Sequence, residues 1–180
     1  MIRYVALAAL LLPPGPAAAD LSITFRDGNP RDRFTVRNTG CAVVTGQLVI
    51  DLAPSAGGVI VDAVRGGPGT KDPMPVEVEA GRLTVAPVAD GARRLSMHLG
   101  GLAAGERAVV TLDLDDTRGW WPGPRVEVFE QEMAGATATL AAPHGTARAT
   151  FDATGSARIA GASCADPGPD LPRDDPTPIA

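Results

Sequence analysis

The sequence predicts an all-β protein, an antiparallel β-sandwich of Ig-like or jelly-roll-like type with about ten to twelve short strands. Three observations predict it. Apolar and polar residues alternate along most of residues 21–159, turn-forming clusters recur about every 8–12 residues, and no segment keeps a helical period over a dozen positions. The 21 Gly and 17 Pro among 180 residues also exclude a long-helix or coiled-coil protein.

Seven of the predicted strands show the alternation most clearly: 21–25, 34–36, 48–52, 76–78, 83–85, 95–99 and 110–114. Successive side chains of a strand point to opposite faces, so each run has one core face and one solvent face. Residues 125–140 have no clear register, because Val126 and Val128 would share a face with Glu130 and Glu132. A β-bulge near Phe129 would resolve this conflict between the valines and the glutamates, and it is the interpretation that we adopt.

The first nineteen residues have the architecture of a secretory signal peptide. Arg3 supplies the positive charge, residues 5–12 (VALAALLL) form the apolar stretch, and Ala17-Ala18-Ala19 supplies the small residues before a cleavage site. The apolar run is far shorter than the ~20 residues of a membrane span. The expected organisation is a signal peptide (1–19), a β-sandwich domain (20–164) and a Pro/Asp-rich disordered tail (165–180), in a secreted or periplasmic protein.

The charge balance excludes two classes of partner. The formal net charge is −5. Nucleic acid and anionic lipid both require a basic face, so neither is expected, and no segment is expected to span a membrane.

Two cysteines, Cys41 and Cys164, lie in the expected mature chain. An even number in an oxidising compartment favours one disulfide. The alternatives are two free thiols or a metal-binding pair, although the spacing suits zinc poorly.

The sequence offers little catalytic chemistry. It holds two histidines: His98 on the solvent side of a predicted strand and His144 in a turn. Residues 66–71 (GGPGTK) lack the spacing of a phosphate-binding loop. No nucleophile–base pair or metal triad is recognisable, so the expectation is a non-enzymatic protein.

Asp113, Asp115 and Asp116 form the densest acidic cluster and are candidate metal ligands. Converging carboxylates suit Ca²⁺, which takes six to eight oxygens, so loop carbonyls or Glu130 and Glu132 would complete the shell. The favoured alternative is a solvated acidic face, with no cofactor.

The adjacent Trp120 and Trp121 lie in a Pro/Gly loop and are candidate ligand- or partner-binding residues. Exposed tryptophans stack on sugars or anchor protein interfaces. The alternative, which is favoured, is that both cover the open end of the core.

Two segments resemble secreted bacterial Ig-like modules: RFTVRNTG at 33–40 and LGGLAAGERAVVTLDL at 99–114. A narrower resemblance is carried by Asp32-Arg33-Phe34-Thr35, Asn38-Thr39-Gly40-Cys41, Asp51-Leu52-Ala53-Pro54-Ser55-Ala56-Gly57-Gly58, Asp115-Asp116-Thr117, Ala134-Gly135-Ala136 and Phe151-Asp152. Over about residues 20–164 the chain resembles small secreted alphaproteobacterial proteins of the aggregation factor core type. That resemblance implies adhesion or cell aggregation.

The sequence therefore predicts a secreted binding or adhesion protein whose partner is a protein or glycan at the cell surface. The alternative is a carbohydrate- or calcium-binding extracellular module that uses the tryptophan loop and the acidic cluster.

Overall fold

The computed structural model describes residues 18–28, 30–40, 43–70, 73–118, 127–143 and 145–163. These residues form twelve β-strands and one 3-10 helix, Glu130–Met133. The strands are β1 (Ala18–Arg26), β2 (Asp32–Asn38), β3 (Val43–Asp51), β4 (Ile60–Val61), β5 (Glu77–Ala80), β6 (Leu83–Val85), β7 (Arg94–Ala103), β8 (Arg107–Leu112), β9 (Leu114–Asp115), β10 (Thr137–Ala142), β11 (Gly145–Thr150) and β12 (Ser156–Ser163).

The strands build two five-stranded sheets with their apolar faces together. The first sheet has the order β12-β1-β2-β8-β5, the second has the order β11-β10-β3-β7-β6, and β4 pairs with β9 in a small third sheet. All of these pairs are antiparallel. The predicted antiparallel β-sandwich of ten to twelve short strands is therefore confirmed.

The alternation in the sequence fixes which side chains enter the core. In β2, Phe34 and Val36 are buried, while Arg33 and Arg37 on the other face are exposed. The apolar positions of the first three predicted strands are all fully buried: Leu21, Ile23, Phe25, Phe34, Val36, Leu48, Ile50 and Leu52. Each buried aliphatic or aromatic side chain contributes roughly 1.5–3 kcal/mol relative to exposure.

Three aromatic rings form one end of this core. The rings of Phe25 and Phe34 have centroids 5.4 Å apart, and those of Phe34 and Phe151 are 6.1 Å apart in an edge-on arrangement. Phe34 is thus the middle ring, and it packs on β1 and on the segment before β12.

Two details of the predicted strands are wrong. Val78 is 41% exposed although its neighbour Val110 is fully buried. The reason is that β5 is the edge of the first sheet, where less of the facing sheet covers it. Phe129 is followed by the 3-10 helix and not by a bulged strand. The helix buries Met133 and leaves Phe129 38% exposed.

The loop after β3, residues 52–59, forms hydrogen bonds to several other segments. Ser55 is buried; its hydroxyl donates to the carbonyl of Leu52 (2.6 Å) and accepts the N–H of Val59 (2.9 Å). The carbonyl of Gly57 accepts the N–H of Thr117 (3.0 Å), and its own N–H donates to the carbonyl of Glu132 (2.9 Å). This loop therefore fastens the segment after β9 and the 3-10 helix to β3.

The strand order also determines where the C-terminal ends of β2 and β12 lie. Both strands pair with β1 and run antiparallel to it: Leu21 has Asn38 on one side and Ile159 on the other. The C-terminal ends of β2 and β12 therefore lie at the same end of the first sheet. Cys41 and Cys164 lie outside the described residues, as do the expected tail and most of the expected signal peptide, so the disulfide stays a prediction.

Candidate functional site

The three predicted acidic residues are not on a solvated face. Asp113 is 3% exposed, and Asp115 and Asp116 are 0% exposed. The favoured interpretation of a soluble acidic surface is therefore wrong. The physical reason is that the chain stays within the fold after β8: β9 pairs with β4, and the loop that follows β4 covers Asp115.

The predicted trio is also not one ligand set. Asp116 follows Asp115 and packs towards Gly57, about 3.4 Å from where a Cβ on that glycine would lie. Glu130 pairs with Arg26 (3.8 Å), and Glu132 accepts the N–H of Phe129 (2.9 Å). Within the described residues, no three His, Cys, Asp or Glu side chains are grouped so that they could hold a metal ion.

The structure instead brings Asp115 next to Asp62, and Asp62 next to Asp90, two aspartates that the sequence did not single out. Asp62 follows β4, and Asp90 lies in the turn before β7. The carboxyl group of Asp62 is within hydrogen-bonding reach of those of both Asp90 and Asp115. We call Asp62, Asp90 and Asp115 the carboxylate cluster.

Backbone amides of one loop hold this cluster in place. Thr70 N–H donates to Asp62 Oδ2 (2.8 Å) and to Asp115 Oδ2 (2.7 Å), and the Thr70 hydroxyl also donates to Asp62 Oδ2 (3.1 Å). Asp90 Oδ1 accepts the N–H groups of Ala63 (2.7 Å) and Val64 (3.1 Å). Residues 62–70 therefore wrap over the carboxylates, and we call this segment the covering loop.

Burial sets the electrostatics of the cluster. Burial raises the pKa of Asp115 to about 7; the Thr70 N–H opposes this, and the charges of Asp62 and Asp113 add to it. Burial also raises the pKa of Asp62, against the two hydrogen bonds from Thr70. The ionised forms of both carboxyl groups are thus disfavoured, as expected for carboxylates that are removed from water and lie near other negative charges.

Asp32 is a second buried carboxylate, at the start of β2. Its oxygens accept the N–H groups of Leu114 (3.0 Å) and Gly28 (3.3 Å), and the residue is 2% exposed. Burial raises its pKa to about 8; the two N–H donors oppose the shift, and the charges of Asp27 and Asp113 add to it.

The raised pKa of Asp32 predicts a stability that falls with pH. Between about pH 4, where an unfolded Asp titrates, and about pH 8, the folded state holds a proton that the unfolded chain has released. The group therefore removes up to about 1.4 kcal/mol of unfolding free energy per pH unit over this window. We expect Asp32→Asn, which stays neutral, to flatten the slope in urea unfolding at pH 4.5, 6 and 7.5. The exposed control Glu79→Gln should keep the slope; equal slopes in Asp32→Asn and the parent would contradict the assignment.

The remaining candidate residues are the two histidines and the two tryptophans. His98 is exposed on β7, on the solvent face as predicted. Trp120, Trp121 and His144 lie outside the described residues, so their proposed roles stay predictions.

His98 belongs to a shallow groove on the outer face of the second sheet. The pairing of β3, β7 and β6 aligns Gln47, His98 and Thr84 in one row across the three strands. The groove has a volume of about 370 Å³, and Val85 and Met97 also line it. The row presents an amide, an imidazole and a hydroxyl to solvent, which together donate and accept hydrogen bonds.

Comparisons with protein-family models, with curated proteins and with solved structures give no match. Within the described residues, no helix has the length and apolar character needed to cross a membrane.

The sequence has features that mark Asp62 and Asp90, but each feature also has a simpler explanation. Asp90 lies in an Ala-Asp-Gly turn cluster, where Asp is a common turn residue. Asp62 comes shortly before the Gly-rich segment 66–71, which has the composition of an ordinary loop. The proximity of Asp62 to Asp115 depends on β4 pairing with β9, which joins residues more than fifty positions apart.

Proposed function

We propose that the protein is a secreted or periplasmic, non-enzymatic binding module of the adhesion type. It binds a protein or glycan partner at the cell surface through the outer face of β3, β7 and β6. The observation that carries the proposal is the aligned row of Gln47, His98 and Thr84 along the groove.

The chemistry of this row suits a polar, extended ligand. Gln47, His98 and Thr84 are all exposed, so they are open to a partner without rearrangement of the core. Their side chains match the alternating donors and acceptors of sugar hydroxyls or of a peptide backbone. The signal-peptide pattern and the resemblance to aggregation factor core proteins support the same location and role.

The test is binding of the purified mature protein to a glycan array and to the surface of cells of the source organism. The variant Gln47→Ala/His98→Ala removes two hydrogen-bonding side chains of the groove. Each such bond is worth about 0.5–1.5 kcal/mol, so we expect the dissociation constant to rise about tenfold or more.

A matched control changes the opposite sheet. Thr24 and Thr35 are cross-strand neighbours on the outer face of the first sheet. The variant Thr24→Ala/Thr35→Ala should bind within about twofold of the parent, because it leaves the groove intact. Equal losses in both variants, or no binding to glycans or cells, would refute the proposed function. Array binding would identify a glycan ligand; cell binding without an array signal would identify a protein.

A further inference from the structure

We propose that a row of arginines on the outer face of the first sheet is a binding site for an acidic polysaccharide. This arginine row crosses four neighbouring strands and consists of Arg158 on β12, Ser22 on β1, Arg37 on β2 and Arg107 on β8. It lies on the opposite sheet from the groove of the proposed function and does not depend on that groove.

The strand register determines the order and the spacing of the row. Ser22 is the direct partner of both Arg158 and Arg37, and Arg37 is in turn the partner of Arg107. All three arginines are exposed, on the face opposite the core. Neighbouring strands are about 4.8 Å apart, so the row extends over about 14 Å at the backbone.

A second pair of arginines on the same face shows how such charges are normally compensated. Arg26 and Arg33 are also direct cross-strand partners, but Glu130 lies 3.8 Å from Arg26 and Glu79 lies 3.1 Å from Arg33. Like charges that face each other across two strands destabilise a sheet. The two glutamates offset that repulsion at this end of the sheet.

The arginine row has no such compensation within the described part of the chain. Arg37 and Arg107 face each other directly, and neither they nor Arg158 forms an ion pair with a described carboxylate. Glu106, which precedes Arg107, instead accepts the N–H of Ala103 (2.9 Å). The formal net charge is −5, so composition does not account for this local excess of positive charge. An anionic partner would neutralise it.

The chemistry and shape of the row suit an extended anion. Each guanidinium can bind a carboxylate through two parallel hydrogen bonds, and the hydroxyl of Ser22 both donates and accepts. Because the arginines lie in a line, a chain with repeated charges contacts all three, whereas one small anion is best placed between Arg37 and Arg107. The hydroxyl groups of a sugar chain can bond to Ser22 between the charged contacts.

Two other polyanions fit the row less well. Single-stranded nucleic acid binds on aromatic platforms and carries a charge about every 3.4 Å, which is denser than the row. The aromatic residues of β1 and β2, Phe25 and Phe34, face the core. An extended peptide binds best along an open sheet edge, but β1, β2 and β8 are each paired on both sides. An acidic polysaccharide needs neither an aromatic platform nor an open edge.

The experiment measures binding of the mature protein to polygalacturonate and to dextran sulfate, with neutral dextran as the uncharged control. We expect saturable binding to at least one acidic polymer, none to dextran, and a clear loss of affinity between about 50 and about 200 mM NaCl. Binding to polygalacturonate alone would identify carboxylates as the recognised group, and binding to dextran sulfate alone would identify sulfates. Absence of binding to both, or tighter binding to poly-glutamate or single-stranded DNA, would overturn the proposal.

Two double variants with the same change of charge locate the site. Arg37→Gln/Arg107→Gln removes the facing pair of the row, and we expect the dissociation constant to rise about fivefold or more, since two charged contacts are lost. Arg26→Gln/Arg33→Gln removes the facing pair that the glutamates compensate, and it should bind within about twofold of the parent. Equal losses in the two variants would show that only net charge matters and would refute the row.

The groove variant Gln47→Ala/His98→Ala separates this proposal from the proposed function. It should keep the parent's affinity for the acidic polysaccharide, because the row lies on the other sheet. A loss as large as that in Arg37→Gln/Arg107→Gln would place the polysaccharide in the groove and would refute the row.

Discussion

We expect Phe34→Ala to lower the free energy of unfolding by about 3–5 kcal/mol, as is usual for removal of a buried Phe. Phe34 is fully buried and is the middle ring between Phe25 and Phe151. Its loss removes both ring contacts and leaves a cavity between β1, β2 and the segment before β12. Chemical denaturation monitored by circular dichroism measures the change.

The matched control is Arg33→Ala, the preceding residue on the same strand. Its side chain points away from the core and pairs with Glu79 (3.1 Å), with both partners about half exposed. Such exposed pairs contribute at most about 1 kcal/mol. If the two variants destabilised the protein equally, the assignment of opposite faces in β2 would be contradicted.

We expect Cys41→Ser/Cys164→Ser to cost about 2–5 kcal/mol of stability, as in other small secreted domains. The bond would link positions 123 residues apart, which strongly restricts the unfolded chain. The ends of β2 and β12, which precede the two cysteines, lie at the same end of the first sheet. A disulfide also requires the two Cα atoms to be within about 7 Å.

Two measurements check this bond independently of stability. Unreduced protein treated with an alkylating reagent should gain no mass, and reduction beforehand should give two additions. Reduced parent protein should unfold with the same free energy as the double variant. Alkylation of both thiols without reduction would show that the bond is absent.

The sequence alone predicted the sandwich because its signals are local. Period-2 alternation in 21–25, 34–36 and 48–52 identifies the core face directly, and Gly- and Asn-containing turns separate the strands. Such patterns do not predict burial correctly where a strand lies at the edge of a sheet. Val78 alternates like a core residue, yet β5 has a neighbour on only one side. A pattern within one strand contains no information about what covers it.

The site was harder to predict because it depends on long-range pairing. The sequence singles out Asp115, but Asp62 and Asp90 come from two other segments, the end of β4 and the turn before β7. Acidic residues are normally exposed, so a solvated face was the natural interpretation of Asp113 and Asp116 as well. The burial of Asp115 follows from β9 lying beneath the covering loop, which only the fold shows.

The most direct measurement of the central claim, that the groove along β3, β7 and β6 binds a partner, compares binding to cells of the source organism by the parent and by Gln47→Ala/His98→Ala. The proposal predicts saturable binding by the parent and a dissociation constant about tenfold or more higher for the variant. Parent binding that the variant keeps unchanged would contradict it.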